Sequence, residues 1–343
     1  MLFRSDLDFN LIKDNLKKYL QSQDVLKDYN YEGSALSVLL DILAYNTQYN
    51  SYYLNMVANE MFLDTALQRS SVISHAKLLD YTPKSSIAPS AFVNLTVNQV
   101  NSSTLTVPKF TNFMSEAING VNYNFVTTSS KTVNVANNVA YFDNLEIKQG
   151  TPVTLTFTVD STTNPKYTFE LPDPQIDTTS LVVAVQASSS NSSSVIYNLS
   201  SDYLILDNNS TVYFLQESLN GNYQIYFGDD VIGKKLSDGN IVFISYIVTK
   251  GTASAGANNF VLMESIGGYS TTTIYPLVSA TEGAEKESIE SIKFQAPKSY
   301  AAQNRAVTKD DYITLIQQNN YGIALDAVNV WGGEENEIGR AHV

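Results

Sequence analysis

Between Gly33 and Asn59 the chain carries one charged residue, Asp41, and apolar or aromatic residues recur there at helical spacing. This pattern predicts a long helix that starts near Ser34 and measures about 40 Å at 1.5 Å per residue. Because apolar side chains cover most of its surface, such a helix must be buried on several sides. Either a partner chain, a second copy of this chain or the following β region can cover it.

We expect a partner to contact the apolar and tyrosine-rich side of this helix. The candidate interface residues are Leu36, Leu40, Leu43, Tyr45, Tyr49, Tyr52, Tyr53 and Met56.

Two further helices flank the long one. Asp8 is placed to cap a helix that runs through Leu20, and a third helix is predicted to begin near Asp64 and to end before Pro83. His75 falls in this third helix as an ordinary helical residue. Residues 1–84 are therefore predicted to form a helical assembly module.

Residues 85–275 have the alternating pattern of β-strands and are rich in Thr, Ser, Asn and Val. We expect a β-rich domain of antiparallel strands, divided into two lobes near a Ser/Asn loop at residues 188–194. No fixed-period repeat is visible, which disfavours a solenoid. The clearest alternating segments are residues 92–97, 153–159, 212–215, 223–227 and 241–248.

Residues 276–336 return to a mixed α/β pattern. A short helix is predicted from Glu285 to Ala296, a second helix after the capping-box-like Thr308–Asp311, and a strand from Ala327 to Trp331. The fold class is thus α+β and multidomain, with an N-terminal helical module, central antiparallel β lobes and a C-terminal mixed segment. Residues 337–343 resemble a translated sequencing adapter and are left out of this assignment.

Composition excludes several classes of function. The chain has no cysteine and two histidines, so a thiolate zinc site, an iron–sulfur cluster or a multi-histidine metal site is not expected. Its net charge of −13 is opposite in sign to that of a nucleic-acid binder. No signal peptide and no run of about 20 apolar residues is present. We therefore expect synthesis in the host cytoplasm and no membrane insertion.

The charged motifs do not form a catalytic constellation. Asp229 and Asp230 are adjacent in a predicted turn and are expected to be a polar turn between strands rather than a calcium or acid/base site. The segment from Gly228 to Lys235 lacks the Ser or Thr of a phosphate loop. Four acidic residues open the predicted helix of the third region and are expected to form a solvated face; they are Glu282, Glu285, Glu287 and Glu290. No catalytic residue, cofactor, metal or small-molecule substrate is predicted.

Several segments resemble baseplate wedge subunits of T-even-type contractile-tail bacteriophages. In the helical region they are LDILAYNTQYN (40–50), YLNMVANEMFLD (53–64) and AKLLDYTP (76–83). Further segments are similar to the broader baseplate J-like family: FGDDVIG (227–233), YIVTKG (246–251), GAEKES (283–288), RAVTKDDY (305–312) and VWGGE (330–334). Asp80 departs from the family, which more usually has Gly there. The chain also stops soon after Trp331, where members of the family continue, as expected of the N-terminal part of a longer protein.

This resemblance implies a structural, non-enzymatic component of the inner ring of a tail baseplate in the virion. Such a subunit assembles with a second copy of itself and with other wedge proteins, and the ring helps to trigger sheath contraction. Two alternatives remain open from the residues themselves. The Ser/Thr/Asn/Tyr-rich β region is also compatible with a tail adhesin that binds host surface glycans, and carboxylates such as Asp229 and Asp230 with a glycan-cleaving tail enzyme.

Overall fold

The computed structural model describes residues 8–23, 28–200, 206–281, 283–303, 305–318 and 328–331. The chain divides into two compact units, Met1–Leu78 and Leu79–Val343. The first unit is helical, and the second contains the sheets and two C-terminal helices. The predicted α+β class, with helices at both ends and antiparallel sheets between them, is confirmed.

The described residues of the first unit form three α-helices, α1 (Phe9–Gln21), α2 (Ala35–Glu60) and α3 (Arg69–Leu78), and a short 3-10 turn at Asp28–Asn30. The Asp8 side chain accepts a hydrogen bond of 2.8 Å from the Asn10 N–H and so caps α1, as predicted. Ser34 caps α2, where its Oγ accepts from the Ser37 N–H at 3.0 Å. The long helix is therefore confirmed at its predicted start.

The prediction that the third helix begins near Asp64 is wrong, since α3 starts at Arg69. The Glu60 carboxylate accepts hydrogen bonds from the backbone N–H groups of Leu67 and Gln68, which holds the segment after α2 as a turn. His75 lies in α3, as predicted, and its Nε2 donates to the Glu60 carbonyl oxygen at 2.9 Å. This contact joins α3 to the end of α2.

Most strands of the second unit pair in two sheets. The strands are β1 (Ser90–Asn98), β2 (Thr104–Val107), β3 (Asn112–Ser115), β4 (Asn124–Thr127), β5 (Lys131–Asn134), β6 (Val139–Gln149), β7 (Thr151–Thr158), β8 (Thr168–Leu171), β9 (Ile176–Ser188), β10 (Asn191–Leu199), β11 (Val212–Glu217), β12 (Tyr223–Phe227), β13 (Ile241–Val248), β14 (Phe260–Leu262) and β15 (Thr272–Thr281). The strand order is β14-β3-β4-β6-β1-β15 in the six-stranded sheet and β7-β13-β9-β10-β11-β12-β8 in the seven-stranded sheet, while β2 pairs with β5. Described pairings are antiparallel apart from the short parallel contact of β10 with β11.

Alternation of apolar residues along the strands builds a separate core behind each sheet. Leu95 on β1 pairs with Phe142 on β6 and with Ile274 on β15, in the core of the six-stranded sheet. Ile244 on β13 pairs with Val183 on β9 in the core of the seven-stranded sheet. The predicted alternating segments thus lie in strands, apart from Val159 just after β7, and alternate residues along them face these cores.

The division between the two sheets differs from the prediction. Residues 188–194 are not a loop between lobes, because Ser188 ends β9 and Asn191 begins β10 in a tight hairpin within the seven-stranded sheet. The chain instead changes sheet at Gly150, between β6 and β7, and returns to the six-stranded sheet with β14 and β15. The last strand extends to Thr281.

Two helices, α4 (Ile289–Ala302) and α5 (Lys309–Gln318), complete the described fold. The predicted start of α4 at Glu285 is wrong, since the Ser288 side chain caps the helix, and the helix continues through Pro297 instead of ending at Ala296. The capping box of α5 is confirmed, because Thr308 and Asp311 exchange backbone-to-side-chain hydrogen bonds.

The strand and one acidic residue predicted in the C-terminal segment are not found as predicted or lie outside the described residues. Residues 328–331 form no strand in the described structure, contrary to prediction, and Ala327, which opened that strand, lies outside the described residues. Glu282 and residues 332–343 also lie outside them. Within the described ranges, no helix has the length and apolarity needed to span a membrane.

Candidate assembly surface on the long helix

The inner face of α2 is made of small and polar residues. Ser37, Leu40 and Ala44 are buried, and the same face continues through the half-buried Gln48 and Ser51. Few of these positions are large and apolar, so this face contributes little to a hydrophobic core.

Asp41, the one charged residue between Gly33 and Asn59, has its partner within the helical unit. Asp41 forms an ion pair with Lys13 of α1, with 2.5 Å between Nζ and Oδ1. This pair joins α2 to α1.

The outer face of α2 is apolar and aromatic although it is exposed. Six residues on this face are spaced alternately four and three positions apart, the spacing by which helices pack along a seam. We call them the α2 seam: Val38, Ile42, Tyr45, Tyr49, Tyr52 and Met56. Their side chains are between 37% and 61% exposed, which is unusual for a contiguous row of large apolar residues.

Tyrosine rings along the seam contact one another. The ring centroids of Tyr45 and Tyr49 are 5.6 Å apart, and those of Tyr49 and Tyr53 are 5.0 Å apart in an edge-to-face arrangement. A side-chain hydrogen bond with Tyr49 raises the pKa of Tyr53. These contacts order the rings into a ridge that presents both apolar surface and hydroxyl groups.

The structure sorts the predicted interface residues into two groups. Leu40 is only 3% exposed and faces the interior, and Leu36 is half-buried, so neither offers its side chain to a partner. The other six predicted residues are exposed on the outer side of α2: Leu43, Tyr45, Tyr49, Tyr52, Tyr53 and Met56.

Sequence reasoning missed several members of this surface. Val38 and Ile42 continue the alternating spacing toward the start of α2, and that spacing was a signal that could have found them. Further exposed apolar residues widen the surface around the seam and beyond the end of the helix; they are Leu39, Leu54, Val57, Met61 and Phe62.

The adjacent carboxylates of Asp229 and Asp230 stabilise local backbone structure. The Asp229 carboxylate accepts from the Val231 and Ile232 N–H groups at 3.0 Å, and these backbone hydrogen bonds hold the pKa of Asp229 below its usual range. Asp229 and Asp230 therefore organise a turn. Among the described residues no group of three or more His, Asp or Glu side chains is arranged to hold a metal ion.

The expectation of a solvated acidic face at the start of α4 is wrong for Glu287. Its carboxylate is buried and accepts hydrogen bonds from the Tyr81 hydroxyl, the Lys84 N–H and the Ser291 hydroxyl at 2.7–3.0 Å. Glu285 and Glu290 are exposed. Spacing on a helix could not reveal the partners of Glu287, because two of them lie about 200 positions away.

Comparison with known proteins shows what the helical unit is similar to. Residues 8–81 match the family model described as "Baseplate wedge protein gp6-like, helical domain". This match includes all of α1, α2 and α3, and it confirms the predicted resemblance to baseplate wedge subunits.

A particular relative extends the similarity to nearly the whole chain. The chain is 29% identical over 348 aligned residues to the baseplate wedge protein gp6 of Enterobacteria phage T4, an alignment that covers 94% of the chain and 51% of that protein. The chain thus spans about half the length of this curated relative. A solved structure, the six-fold symmetrised baseplate of the anti-feeding prophage, aligns with 93% of the chain and 65% of its own chain, at 14% identity and a TM-score of 0.33.

Proposed function

We propose that this chain is a structural subunit of a contractile-tail baseplate, an inner-ring wedge component that assembles with a second copy of itself and with other wedge proteins. It acts in the tail of the virion, without catalysis, and takes part in the rearrangement that triggers sheath contraction. The observation that carries this proposal is the exposed α2 seam, which lies inside the segment similar to the gp6-like helical domain.

The physical argument rests on the inverted polarity of α2. A helix that packed only within its own unit would bury its apolar face and expose its polar one. In α2 most of the large apolar and aromatic residues are outside, Leu40 being the buried exception, and small or polar residues such as Ser37 and Gln48 lie inside. Burying the seam against another helix removes this apolar surface from water, which favours association.

The composition of the seam also fits a protein interface. Tyrosine and methionine are enriched in the centres of such interfaces, where charged residues are depleted. The seam carries no charged residue and includes Tyr45, Tyr49, Tyr52 and Met56. An alternating spacing of four and three positions favours a helical partner that lies nearly parallel or antiparallel to α2.

Co-purification tests the proposal directly. The full gene is expressed together with its genomic neighbours, with one affinity tag on this subunit, and the mass of the purified complex is measured by light scattering. We expect a stable complex that contains one or two copies of this chain together with other subunits. A monomer that leaves every neighbour behind would contradict the proposed role.

A matched pair of variants locates the interface. The double variant Tyr49→Asp, Tyr52→Asp places two charges on the seam and should abolish co-purification while the second unit stays folded. Asn10→Asp, Asn15→Asp adds the same charge at exposed polar positions of α1, outside this surface, and should leave the complex intact. Equal complex yields from both variants would exclude the seam as the interface.

A further inference from the structure

A second surface lies in the unit of residues 79–343. A groove of about 850 Å³ opens between three parts of the chain. Residues 82–87 form one side. Lys148 of the six-stranded sheet and Lys109, in the loop between β2 and β3, form another, and the seven-stranded sheet contributes residues 178–182 and 196–199. This volume is in the range of cavities that take a drug-sized ligand, which corresponds to a few residues of a peptide.

The charged side chains that line the groove are mostly lysines. Three lysines line it, Lys84, Lys109 and Lys148, against one carboxylate, Glu146. The whole chain has a net charge of −13. A positive charge that no nearby carboxylate balances attracts anionic groups to its place in an otherwise acidic protein.

The three lysines differ in how their charges are balanced. Lys148 donates to Asp177 Oδ2 at 3.4 Å and to Thr179 Oγ1 at 3.1 Å. Lys84 is near Glu287, whose charge opposes the lowering of the Lys84 pKa by burial. These two ammonium groups therefore have negative charge beside them inside the protein.

Lys109 is half-buried without such compensation. Its Nζ lies 4.7 Å from the centroid of the Phe110 ring, and in the described part of the chain no carboxylate is within ion-pair distance of it. Burial lowers the pKa of Lys109. A partly desolvated cation that faces a cavity is stabilised when an anionic group enters and pairs with it.

The rim of the groove adds an apolar component. Ile196 and Leu199 on β10 line the groove and are 60% and 53% exposed. A small inorganic anion would pair with the lysines and leave these side chains in water. A peptide that carries both carboxylates and apolar side chains would satisfy both parts.

We propose that this groove binds an extended acidic peptide segment with apolar side chains, supplied by a neighbouring subunit. The source of the segment rests on the proposed assembly function, whereas the chemistry of the groove does not. Lys109 pairs with a carboxylate of the segment, and Ile196 and Leu199 contact its apolar side chains.

The test uses the full chain and a fluorescein-labelled heptapeptide of alternating glutamate and leucine, with binding measured by fluorescence anisotropy at low salt. A peptide with lysine in place of glutamate is the charge-reversed probe. We expect saturable binding of the acidic peptide and at least tenfold weaker binding of the lysine peptide. Equal binding of the two peptides, or binding of neither, would overturn the proposal.

Variants place the binding in the groove. Lys109→Glu should weaken binding of the acidic peptide at least tenfold, and Ile196→Ser should weaken it by a smaller factor. Lys166→Glu makes the same charge change at an exposed lysine outside the groove and should leave binding unchanged. Thermal unfolding of each variant establishes that it is folded, and an equal loss with Lys109→Glu and Lys166→Glu would contradict the location.

Two further measurements separate the possible failures. Inorganic phosphate at the concentration of the peptide should not displace it, and full displacement would make this a small-anion site instead. The Tyr49→Asp, Tyr52→Asp variant should bind the peptide normally. If that variant loses its partners but keeps the peptide, both proposals stand; if co-purification succeeds and peptide binding is absent, only the groove proposal fails.

Discussion

The hydroxyl of Tyr81 donates a hydrogen bond of 2.8 Å to Oε1 of Glu287, a residue 206 positions further along the chain. Burial and the neighbouring charge of Glu287 raise the pKa of Tyr81, so this hydroxyl keeps its proton at neutral pH. This contact holds residues 81–84 against the start of α4 within the second unit. The neighbouring Lys286 reinforces the arrangement by pairing with the buried Glu217 at 2.7 Å.

Removing the charge of Glu287 should destabilise the second unit. In Glu287→Gln the amide NH₂ replaces one acceptor oxygen and faces donors that it cannot satisfy, so we expect a loss of about 1–3 kcal/mol in the free energy of unfolding. Urea unfolding measures this loss. Glu290→Gln, at an exposed position of the same helix turn, should change stability by less than about 0.5 kcal/mol. Equal effects of the two changes would contradict the structural role of Glu287.

Neighbouring leucines of α2 should respond differently to the same truncation. Leu40 is 3% exposed and Leu39 is 54% exposed. Leu40→Ala should lower the free energy of unfolding by about 2–4 kcal/mol because it leaves a cavity in the helical unit. Leu39→Ala should lower it by less than about 0.5 kcal/mol. Hydrogen exchange of α1 and α2 amides reports this unit separately, and similar losses of protection in both variants would contradict the orientation of α2.

Gly150 lies where the chain passes from the six-stranded sheet to the seven-stranded sheet. Gly150 has φ +141°, and a Cβ there would meet the Ile247 side chain and lie 2.5 Å from the Val248 carbonyl oxygen. Gly150→Ala should therefore destabilise the second unit by about 2 kcal/mol or more, through backbone strain and crowding together. Gly239 also has positive φ but has open space around it. Gly239→Ala should therefore lower the free energy of unfolding by about 1 kcal/mol, through backbone strain alone. Equal losses in urea unfolding would show that crowding at Gly150 is absent.

Stability should fall at alkaline pH in a way that depends on Tyr213. Burial raises the pKa of Tyr213 to about 12, against about 10 in an unfolded chain. Between these values the unfolded state loses the proton and the folded state keeps it, so the stabilisation is complete below pH 10 and is lost as the pH rises toward 12. Tyr213→Phe removes this titration, and its free energy of unfolding should decline less between pH 10 and pH 12. A decline as steep as that of the unmodified chain would refute the assignment.

Local patterns in the sequence determined most of the secondary structure. The caps at Asp8, Ser34 and Thr308 and the alternation along Ile241–Val248 act through neighbouring residues, and the predicted helices and strands at these places are found. The start of α3 was misplaced because Glu60 closes a turn with Leu67 and Gln68. A side-chain bond across seven or eight positions leaves no periodic signal.

The candidate surface was partly visible in the sequence. Low charge and frequent tyrosine pointed to α2, where the structure exposes apolar residues, and the alternating spacing from Val38 to Met56 is a local property of the chain. The sequence did not show which side of α2 faces inward, because this depends on how α1 packs and on the ion pair of Lys13 with Asp41. For this reason Leu40 was assigned to the interface although it is buried.

The sequence by itself determined the class of the fold, the helix caps, the strand alternation and the resemblance to baseplate wedge subunits. Only the tertiary structure decided that Glu287 is buried, that the chain changes sheet at Gly150 and that three lysines meet in one groove. The physical reason is distance along the chain. Periodicity and capping depend on residues within one or two turns, whereas burial and charge balance depend on groups that folding brings together from remote positions.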